Sequence, residues 1–256
     1  MSERDAYDPG VPCWVDNLVP DPESAMRFYR GLFGWEFDGP GPGGYFVAQL
    51  RGRDVAGIGV QPPDVPAAWN TYGCVANAEQ VTEAAAGAGG RILMEPFDAL
   101  PAGRVAVLAD PSGAAVGIWE PRERRGAQLV NEPSAWSMSV LNTPDRDGSA
   151  AFYRDVFGWE SEPFGPMSLC RLPGCVTGEP GQPVPRDVVA VMAPADAEPH
   201  WSVGFWVSDA DAVAEKAPAL GGTVIAAPFD DGGMRHAVVA DPAGAVLQVT
   251  TAPGPH

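Results

Sequence analysis

The chain has 256 residues, of which 33 are acidic and 16 basic, so its formal net charge is −17 at pH 7. This charge disfavours binding to nucleic acid or to an anionic membrane. Hydrophobic residues make up 45% of the chain and include eight Trp and ten Phe, which is enough for two cores and argues against disorder.

The first module of the chain is predicted to have the order β-α-β-β-β. Residues 13–19 have the pattern of a strand, and Asp21 followed by Pro22 is a typical start of a helix. Gly34 predicts the end of that helix, because glycine adopts the left-handed conformation without a Cβ penalty. Residues 39–44 are rich in glycine and proline and predict a loop. Further strands are expected over residues 35–37, 45–50 and 55–60.

The same order of elements is predicted three more times. The second module covers residues 69–120, the third covers 134–193 and the fourth covers 201–250. A charged segment, residues 121–133, links the two halves, and the third module carries a Pro/Gly-rich insertion at 173–185. The chain is therefore predicted to contain four similar modules in two pairs.

Two repeated stretches support a tandem duplication. Residues 28–37 recur at 152–161 with seven of ten positions identical. Residues 69–98 match residues 201–230, and both of these stretches begin with Trp and end with Pro-Phe-Asp. A repeat of this length determines the architecture before any residue is given a role.

The repeated motifs resemble a known superfamily. Phe-Tyr-X-X-X-Phe-Gly-Trp after a first helix and Asp-Pro-X-Gly-Ala before a last strand are similar to the vicinal oxygen chelate (VOC) superfamily, which includes glyoxalases, bleomycin-resistance proteins and extradiol dioxygenases. The chain most resembles the two-domain actinobacterial type often labelled hydroxylase, which includes accessory proteins of aromatic polyketide pathways. The resemblance implies an α+β fold of four β-α-β-β-β modules, paired into two tandem glyoxalase-like domains at 11–121 and 134–252 with cupped mixed sheets. It covers about residues 12–250 and indicates the fold better than the activity.

The resemblance also implies where a metal ion would be held. Metal-dependent members use His, Gln or Glu on the first and last strands of their modules. The corresponding positions here are Trp14, Asn70 and Gly117 in the first domain and Met138, Ser202 and Gln248 in the second. Indole, glycine and serine do not form a divalent cation site, and Gln248 alone resembles a ligand. We therefore predict no metal ion and no other cofactor.

A concave sheet without a metal ion can still line a pocket for a small molecule. Strand alternation places aromatic, methionine and polar side chains on the inner faces. The predicted substrate-binding residues are Trp14, Asn70, Tyr72, Trp119, Met138, Ser202, Trp206 and Gln248. The alternative is that the Trp and Met side chains simply belong to the cores.

Three residues are candidates for acid–base catalysis. Asp16 would have a raised pKa if it were desolvated between Trp14 and Tyr72. His200 and His236 could exchange protons near neutral pH. A purely structural role is the alternative for each of them.

The leading functional hypothesis is metal-free binding of a bulky, flat, largely apolar aromatic compound of the polyketide type. The protein would act as a cofactor-independent tailoring enzyme of the dehydration, cyclisation or hydroxylation type, or as an accessory protein that holds the compound for a partner biosynthetic enzyme. The alternative is a drug-sequestering protein of the bleomycin-resistance kind, which the acidic charge favours slightly. No nucleic acid or membrane partner is expected.

The expected location is the cytoplasm. The chain has no apolar run of membrane-spanning length, and its first residues lack the apolar core of a signal peptide. The four cysteines are therefore expected to be reduced thiols.

Overall fold

The computed structural model describes residues 3–176 and 187–252. Within these residues four β-α-β-β-β modules follow one another. The first contains β1 Pro12–Val19, α1 Pro22–Phe33, β2 Glu36–Asp38, β3 Phe46–Leu50 and β4 Arg53–Val60. The second contains β5 Ala68–Cys74, α2 Ala78–Gly87, β6 Arg91–Ala99, β7 Gly103–Ala109 and β8 Ala115–Pro121. The third contains β9 Trp136–Thr143, α3 Arg146–Phe157, β10 Glu160–Phe164, β11 Met167–Arg171 and β12 Val188–Pro194. The fourth contains β13 His200–Val207, α4 Ala210–Ala219, β14 Thr223–Asp231, β15 Met234–Ala240 and β16 Val246–Thr251.

Small differences from the sequence prediction concern boundaries. The loop predicted over residues 39–44 contains a short 3-10 turn at Pro42–Gly44. Most of the insertion predicted at 173–185 lies outside the described residues. All four cysteines are buried and free. No helix in the described part of the chain is both long and apolar enough to cross a membrane.

The described strands form two mixed sheets, one for each half of the chain. The first sheet has the order β2-β3-β4-β1-β5-β8-β7-β6, and the second has the order β10-β11-β12-β9-β13-β16-β15-β14. In each sheet the two opening strands of the paired modules lie antiparallel at the centre. The predicted α+β fold with two tandem domains is confirmed.

The repeated helices begin and end as their sequences predict. The Asp21 side chain caps α1 by accepting a hydrogen bond from the backbone N–H of Ser24, at 3.1 Å. Gly34 ends α1 with φ of 75°, and Gly158 ends α3 with φ of 76°, both in the left-handed region that favours glycine. The buried face of α1 consists of Ala25, Phe28, Tyr29, Leu32 and Phe33.

The helical sides of the two sheets pack against each other across the domain boundary. The Tyr29 hydroxyl of α1 donates to Asp241 Oδ2 at 3.2 Å, and Asp241 precedes β16 in the other domain. The equivalent residues of the other halves make the same contact: Tyr153 of α3 hydrogen-bonds Asp110 of the first domain. Ser149 Oγ also donates to Asp110, at 3.2 Å. The two repeated motifs therefore meet at the interface between domains, which leaves the concave faces on the outer sides.

Candidate ligand-binding cleft

The concave face of the first sheet contains a cleft of about 1140 Å³. Part of its wall comes from the edge strand β6 and the residue that follows it, where Met94, Phe97 and Leu100 are 36%, 46% and 54% exposed. Further apolar lining comes from Trp14, Leu18, Val47, Val105 and Trp119. Large apolar side chains that remain exposed inside a concave surface are typical of a ligand-binding site.

The floor of the cleft is formed around Asp16. The register of β1 and β5 places Asp16 opposite Asn70 and Trp14 opposite Tyr72. Asn70 Nδ2 donates to Asp16 Oδ1 at 2.9 Å, and the Tyr72 hydroxyl donates to Asp16 Oδ2 at 3.0 Å. The hydroxyl of Tyr45, the residue before β3, donates to the same Oδ2 at 3.1 Å. Asp16 is thus the centre of a polar cluster at the floor of the cleft.

Burial changes the acidity of this cluster. Asp16 is 4% exposed, and desolvation raises its pKa from 3.8 to about 6, although the hydrogen bonds from Asn70, Tyr72 and Tyr45 oppose the shift. Desolvation, and next the charge of Asp16, raises the pKa of both tyrosines well above 10.0. Both hydroxyls therefore keep their protons and act as donors. The Asp16 carboxyl can gain or lose a proton close to neutral pH.

Two glycines make room for the two tyrosines. A Cβ atom at Gly57 would lie 1.8 Å from the Tyr45 hydroxyl oxygen, and one at Gly117 would lie 2.0 Å from Tyr72 Cδ1. Gly117 is the register partner of Tyr72 on β8. Any larger residue at either glycine would displace a tyrosine from Asp16.

Arg124, from the segment after β8, lies over Trp14. Its guanidinium carbon is 5.6 Å from the indole centroid, and its Nη1 donates to Asp54 Oδ2 at 2.7 Å. Trp14 Nε1 in turn donates to the Tyr45 hydroxyl at 2.8 Å, and Trp119 Nε1 donates to the Arg124 carbonyl at 2.9 Å. Trp14 therefore connects the polar floor to a cation instead of presenting a bare ring to a ligand.

The positions that the superfamily resemblance assigns to metal ligands do not fit a divalent ion. The Trp14 indole nitrogen is a donor, Asn70 is directed at Asp16, and Gly117 has no side chain. Across residues 3–176 and 187–252, no group of three or more His, Cys, Asp or Glu side chains is placed to hold a metal ion.

The concave face of the second domain has a different set of contacts. Asn142 Nδ2 donates to Ser202 Oγ at 2.6 Å. His236 Nε2 lies 3.1 Å from the Asp231 carbonyl oxygen, and its Nδ1 lies 3.0 Å from Gln248 Nε2. The His236 Nδ1 also lies 2.9 Å from Thr250 Oγ1, so the ring is held on both sides by groups of its own domain.

The remaining predicted residues of the second domain are separate from the first cleft. Met138 and Trp206 line a pocket of about 130 Å³ beside the N-terminal segment. His200 is exposed at the start of β13, with Nδ1 2.8 Å from the Glu198 carbonyl oxygen. Of the predicted set, the structure brings together Trp14, Asp16, Asn70, Tyr72 and Trp119. It does not bring His200, His236, Met138, Ser202, Trp206 or Gln248 to that cleft.

Sequence reasoning missed Tyr45 and Arg124. The sequence places Tyr45 only in a predicted strand and Arg124 only in a charged linker. One signal was available for Tyr45, because glycines at inward-facing strand positions such as Gly57 indicate that a large neighbour lies over them. No comparable signal identifies Arg124, whose position depends on the path of the segment after β8.

Two family models match the chain. The model described as the glyoxalase/bleomycin resistance protein/dioxygenase superfamily matches residues 14–118, and the glyoxalase-like domain model matches residues 123–250. The chain therefore belongs to the glyoxalase/bleomycin-resistance/dioxygenase superfamily, and the resemblance predicted from its motifs is confirmed.

Similar proteins extend over nearly the whole chain. CFP32 of Mycobacterium tuberculosis, a glyoxylase by name, is 38% identical over 97% of each chain. The anthracycline biosynthesis protein DnrV of Streptomyces peucetius is 31% identical, and DauV of Streptomyces sp. strain C5, which carries the same description, is 33% identical. Both alignments cover 95% of this chain and 94% of the relative.

Solved structures with the same fold are distant in sequence. The Mn(II)-bound glyoxalase from Novosphingobium aromaticivorans has a TM-score of 0.66 and 16% identity, over 95% of this chain and 82% of that one. The 2,3-dioxygenase LapB from Pseudomonas sp. KL28 has a TM-score of 0.65 and 14% identity, over 97% and 95%. At these identities the similarity shows a shared fold alone.

Proposed function

We propose that the protein binds a bulky, flat, largely apolar aromatic metabolite in the first-domain cleft and takes part in the biosynthesis of such a compound. The observation that carries this proposal is the cleft itself, about 1140 Å³ in volume, with an apolar wall and the buried carboxyl of Asp16 at its floor. The similarity to DnrV and DauV, which are named for anthracycline biosynthesis, supports the biosynthetic role. We place the protein in the cytoplasm and expect it to need no metal ion or other cofactor.

Asp16 is the group that would perform proton transfer. A carboxyl with a pKa of about 6 can act as a base in one step and as an acid in the next near neutral pH. In a dehydration, the carboxylate would take a proton from a ligand carbon. The resulting carboxylic acid would deliver that proton to the departing hydroxyl group, which leaves as water and regenerates the carboxylate. In a cyclisation, the carboxylate would likewise take a proton from a ligand carbon, which then adds to a carbonyl carbon of the same molecule. The carboxylic acid would return the proton to the alkoxide oxygen that this addition forms.

The test is turnover by purified protein without added metal or cofactor. Hydroxylated aromatic ketones are incubated with the wild type, and loss of water or isomerisation is followed by mass spectrometry and chromatography. Asp16→Asn should lower the rate by roughly 10²–10⁴-fold while leaving affinity within a few-fold, because general acid–base catalysis contributes about that much. His236→Gln, in the other domain, should leave the rate unchanged.

The outcomes separate three cases. Turnover that depends on Asp16 supports a tailoring enzyme. Binding without turnover of any candidate supports the role of an accessory protein that holds the compound for a partner enzyme. Failure to bind any bulky flat aromatic compound contradicts the proposal.

A second candidate function is sequestration of a cationic drug. It is favoured by the charges that line the cleft, where six carboxylates stand against three arginines. The carboxylates are Asp5, Asp16, Asp38, Asp54, Asp98 and Glu123, and the arginines are Arg4, Arg124 and Arg125. Sequestration predicts that a cationic aromatic binds more tightly than its neutral analogue and that salt weakens its binding. Equal affinity for the two would contradict it.

A further inference from the structure

We infer that the first-domain cleft selects its ligand by polarity, so that a ring hydroxyl donates to Asp16 at the floor while an oxygen acceptor of the same molecule faces Arg124. The ligand class is then a hydroxylated aromatic ketone or quinone. This inference rests on the proposed binding function and narrows it, because many flat apolar molecules would fit the volume of the cleft.

The floor of the cleft offers acceptors, and its own donors are already used. An ionised carboxylate accepts about four hydrogen bonds. Asp16 receives three, from Asn70 on Oδ1 and from Tyr45 and Tyr72 on Oδ2. The Trp14 N–H is also used, because it donates to Tyr45. A ligand that reaches the floor must therefore bring its own donor, since a bare carbonyl or ether oxygen would meet only other acceptors.

Two acceptor positions at the floor have room for a further hydrogen bond. One is the second lone pair of Asp16 Oδ1, which receives Asn70 alone. The other is the Tyr72 hydroxyl oxygen, to which no side chain in the described parts of the chain donates. A phenolic hydroxyl of the ligand could donate to either oxygen. A ligand without a donor would leave both of these further acceptor positions unused, so the floor should discriminate against it.

A donor group beside the floor of the cleft is the guanidinium of Arg124, which lies over Trp14. A guanidinium group carries five N–H donors, and among residues 3–176 and 187–252 the one acceptor bonded to it is Asp54. Asp54 also accepts from Gln49 Nε2 at 2.9 Å, so it does not require further donors from Arg124. The Arg124 side chain is 28% exposed and lines the cleft. Its free N–H groups are thus available to a carbonyl oxygen of the ligand.

The same arrangement disfavours an ammonium group at the floor. A ligand cation would satisfy Asp16, but its attraction would be opposed by the positive charge of Arg124, which Asp54 offsets only in part. Arg124 lies over Trp14, and its charge opposes the rise in the pKa of Tyr45 that desolvation causes. A neutral hydroxyl donor avoids that repulsion. The floor of the cleft therefore favours a phenol, whereas the other carboxylates that line the cleft would by themselves favour a cation.

The experiment uses three probes that differ by one polar group. The first is a naphthol that carries an acetyl group on its other ring. The second is the methyl ether of the first, which has lost the donor, and the third has an ethyl group in place of acetyl and has lost the acceptor. Isothermal titration calorimetry with the full-length wild type should show roughly tenfold weaker binding for the methyl ether, as expected for a lost hydrogen bond to a buried charged group. Binding of the ethyl compound should be roughly fivefold weaker, a smaller loss because Arg124 is partly exposed to solvent.

Variants of the protein assign each preference to its residue. Asp16→Asn should reduce the preference for hydroxyl over methoxy to less than about threefold, because an amide can either donate or accept. Arg124→Met should abolish the preference for acetyl over ethyl and keep the preference for hydroxyl. Arg125→Met is the matched control, since Arg125 is exposed and also lines the cleft, and it should change neither preference.

The measurements on the wild type alone can overturn the inference, whatever the variants do. If all three probes bind with equal affinity, the cleft binds flat aromatics without selecting polarity, so the inference fails and the proposed function stands. If none of them binds, the proposed function itself fails. If the ethyl compound binds as tightly as the ketone, Arg124 is not the acceptor-recognising residue.

Discussion

The two concave faces have the same strand register, but the large and small side chains of one pair of facing residues are exchanged between them. In the first sheet Tyr72 lies opposite Gly117, and in the second sheet Gly204 lies opposite Gln248. A large ring over a glycine holds its hydroxyl on the floor of a cleft of about 1140 Å³. In the second domain the larger side chain has moved to the closing strand, where Gln248 contacts His236 instead.

The polar groups of the two faces differ in the same way. Asp16 pairs with Asn70 across the first sheet, whereas Val140 pairs with Ser202 at the matching place in the second. The second face therefore has no carboxyl at the position around which the first cleft is organised. The backbone of this fold therefore forms a concave face in both domains, and the residues at a few inward-facing positions determine whether that face carries a carboxyl group.

The largest expected difference between the faces is a pH dependence of stability that comes from Asp16. Its pKa of about 6 in the folded protein lies above the ordinary value of 3.8, so the folded state binds more protons than the unfolded state between these values. The free energy of unfolding should therefore fall as pH rises through this window, by roughly 3 kcal/mol for a shift of about two units. Asp16→Asn should remove this contribution.

Urea unfolding of the wild type and of Asp16→Asn, measured from about pH 4 to about pH 7, checks this expectation. The stability of the wild type relative to the variant should decrease across the range. Parallel profiles for the two proteins would show that Asp16 is not desolvated as the structure indicates.

A smaller difference is expected for added methyl groups on the two sheets. Gly117→Ala would place Cβ 2.0 Å from Tyr72 Cδ1, whereas the nearest atom to a Cβ at Gly204 is the Met138 carbonyl oxygen at 3.2 Å. Overpacking of the first kind costs about 1–3 kcal/mol, and the second should cost less than about 1 kcal/mol. Chemical denaturation measures both, and equal losses would mean that Tyr72 moves away freely.

Truncation of Trp14 tests whether ligand binds in the first-domain cleft alone. Because Trp14 supports both Tyr45 and Arg124, Trp14→Ala should weaken binding of the acetyl naphthol more than tenfold, which corresponds to about 1.4 kcal/mol. Met138→Ala, at the matching position of the second domain, should leave affinity unchanged. If Trp14→Ala lowers the melting temperature sharply and affinity is retained, Trp14 belongs to the core and the ligand binds elsewhere.

The smallest expected effect concerns the two exposed edge strands. Phe97 on β6 lines the cleft and is 46% exposed, while Ile225 on β14 is 57% exposed and does not line it. Phe97→Ala should weaken ligand binding by a few-fold, as expected for one lost aromatic contact of about 0.5–1.5 kcal/mol. Ile225→Ala should have no effect on binding. A loss of affinity in both variants would indicate that ligand also occupies the second domain.

Much of the fold was predictable because the repeated motifs are local. The Asp21 cap, the Gly34 stop and the alternation that directs Asp16 inward depend on neighbours in sequence. Tyr45 and Arg124 could not be placed in the site in this way, because their positions depend on how loops cross the finished sheet. The same is true of the contact between Tyr29 and Asp241, whose partners are 212 residues apart.

The reciprocal contacts between the domains bear on how such a chain can evolve after gene duplication. Asp110 and Asp241 are both almost fully buried, and each meets a tyrosine supplied by the other half. A half expressed alone would leave its carboxylate without that partner and expose the aromatic face of its helix to water. Fusion of the two copies is therefore difficult to reverse. The residues on the concave faces of the two sheets take no part in these contacts and are free to diverge. One copy can keep an acidic floor while its sister is retained as the surface that holds it folded.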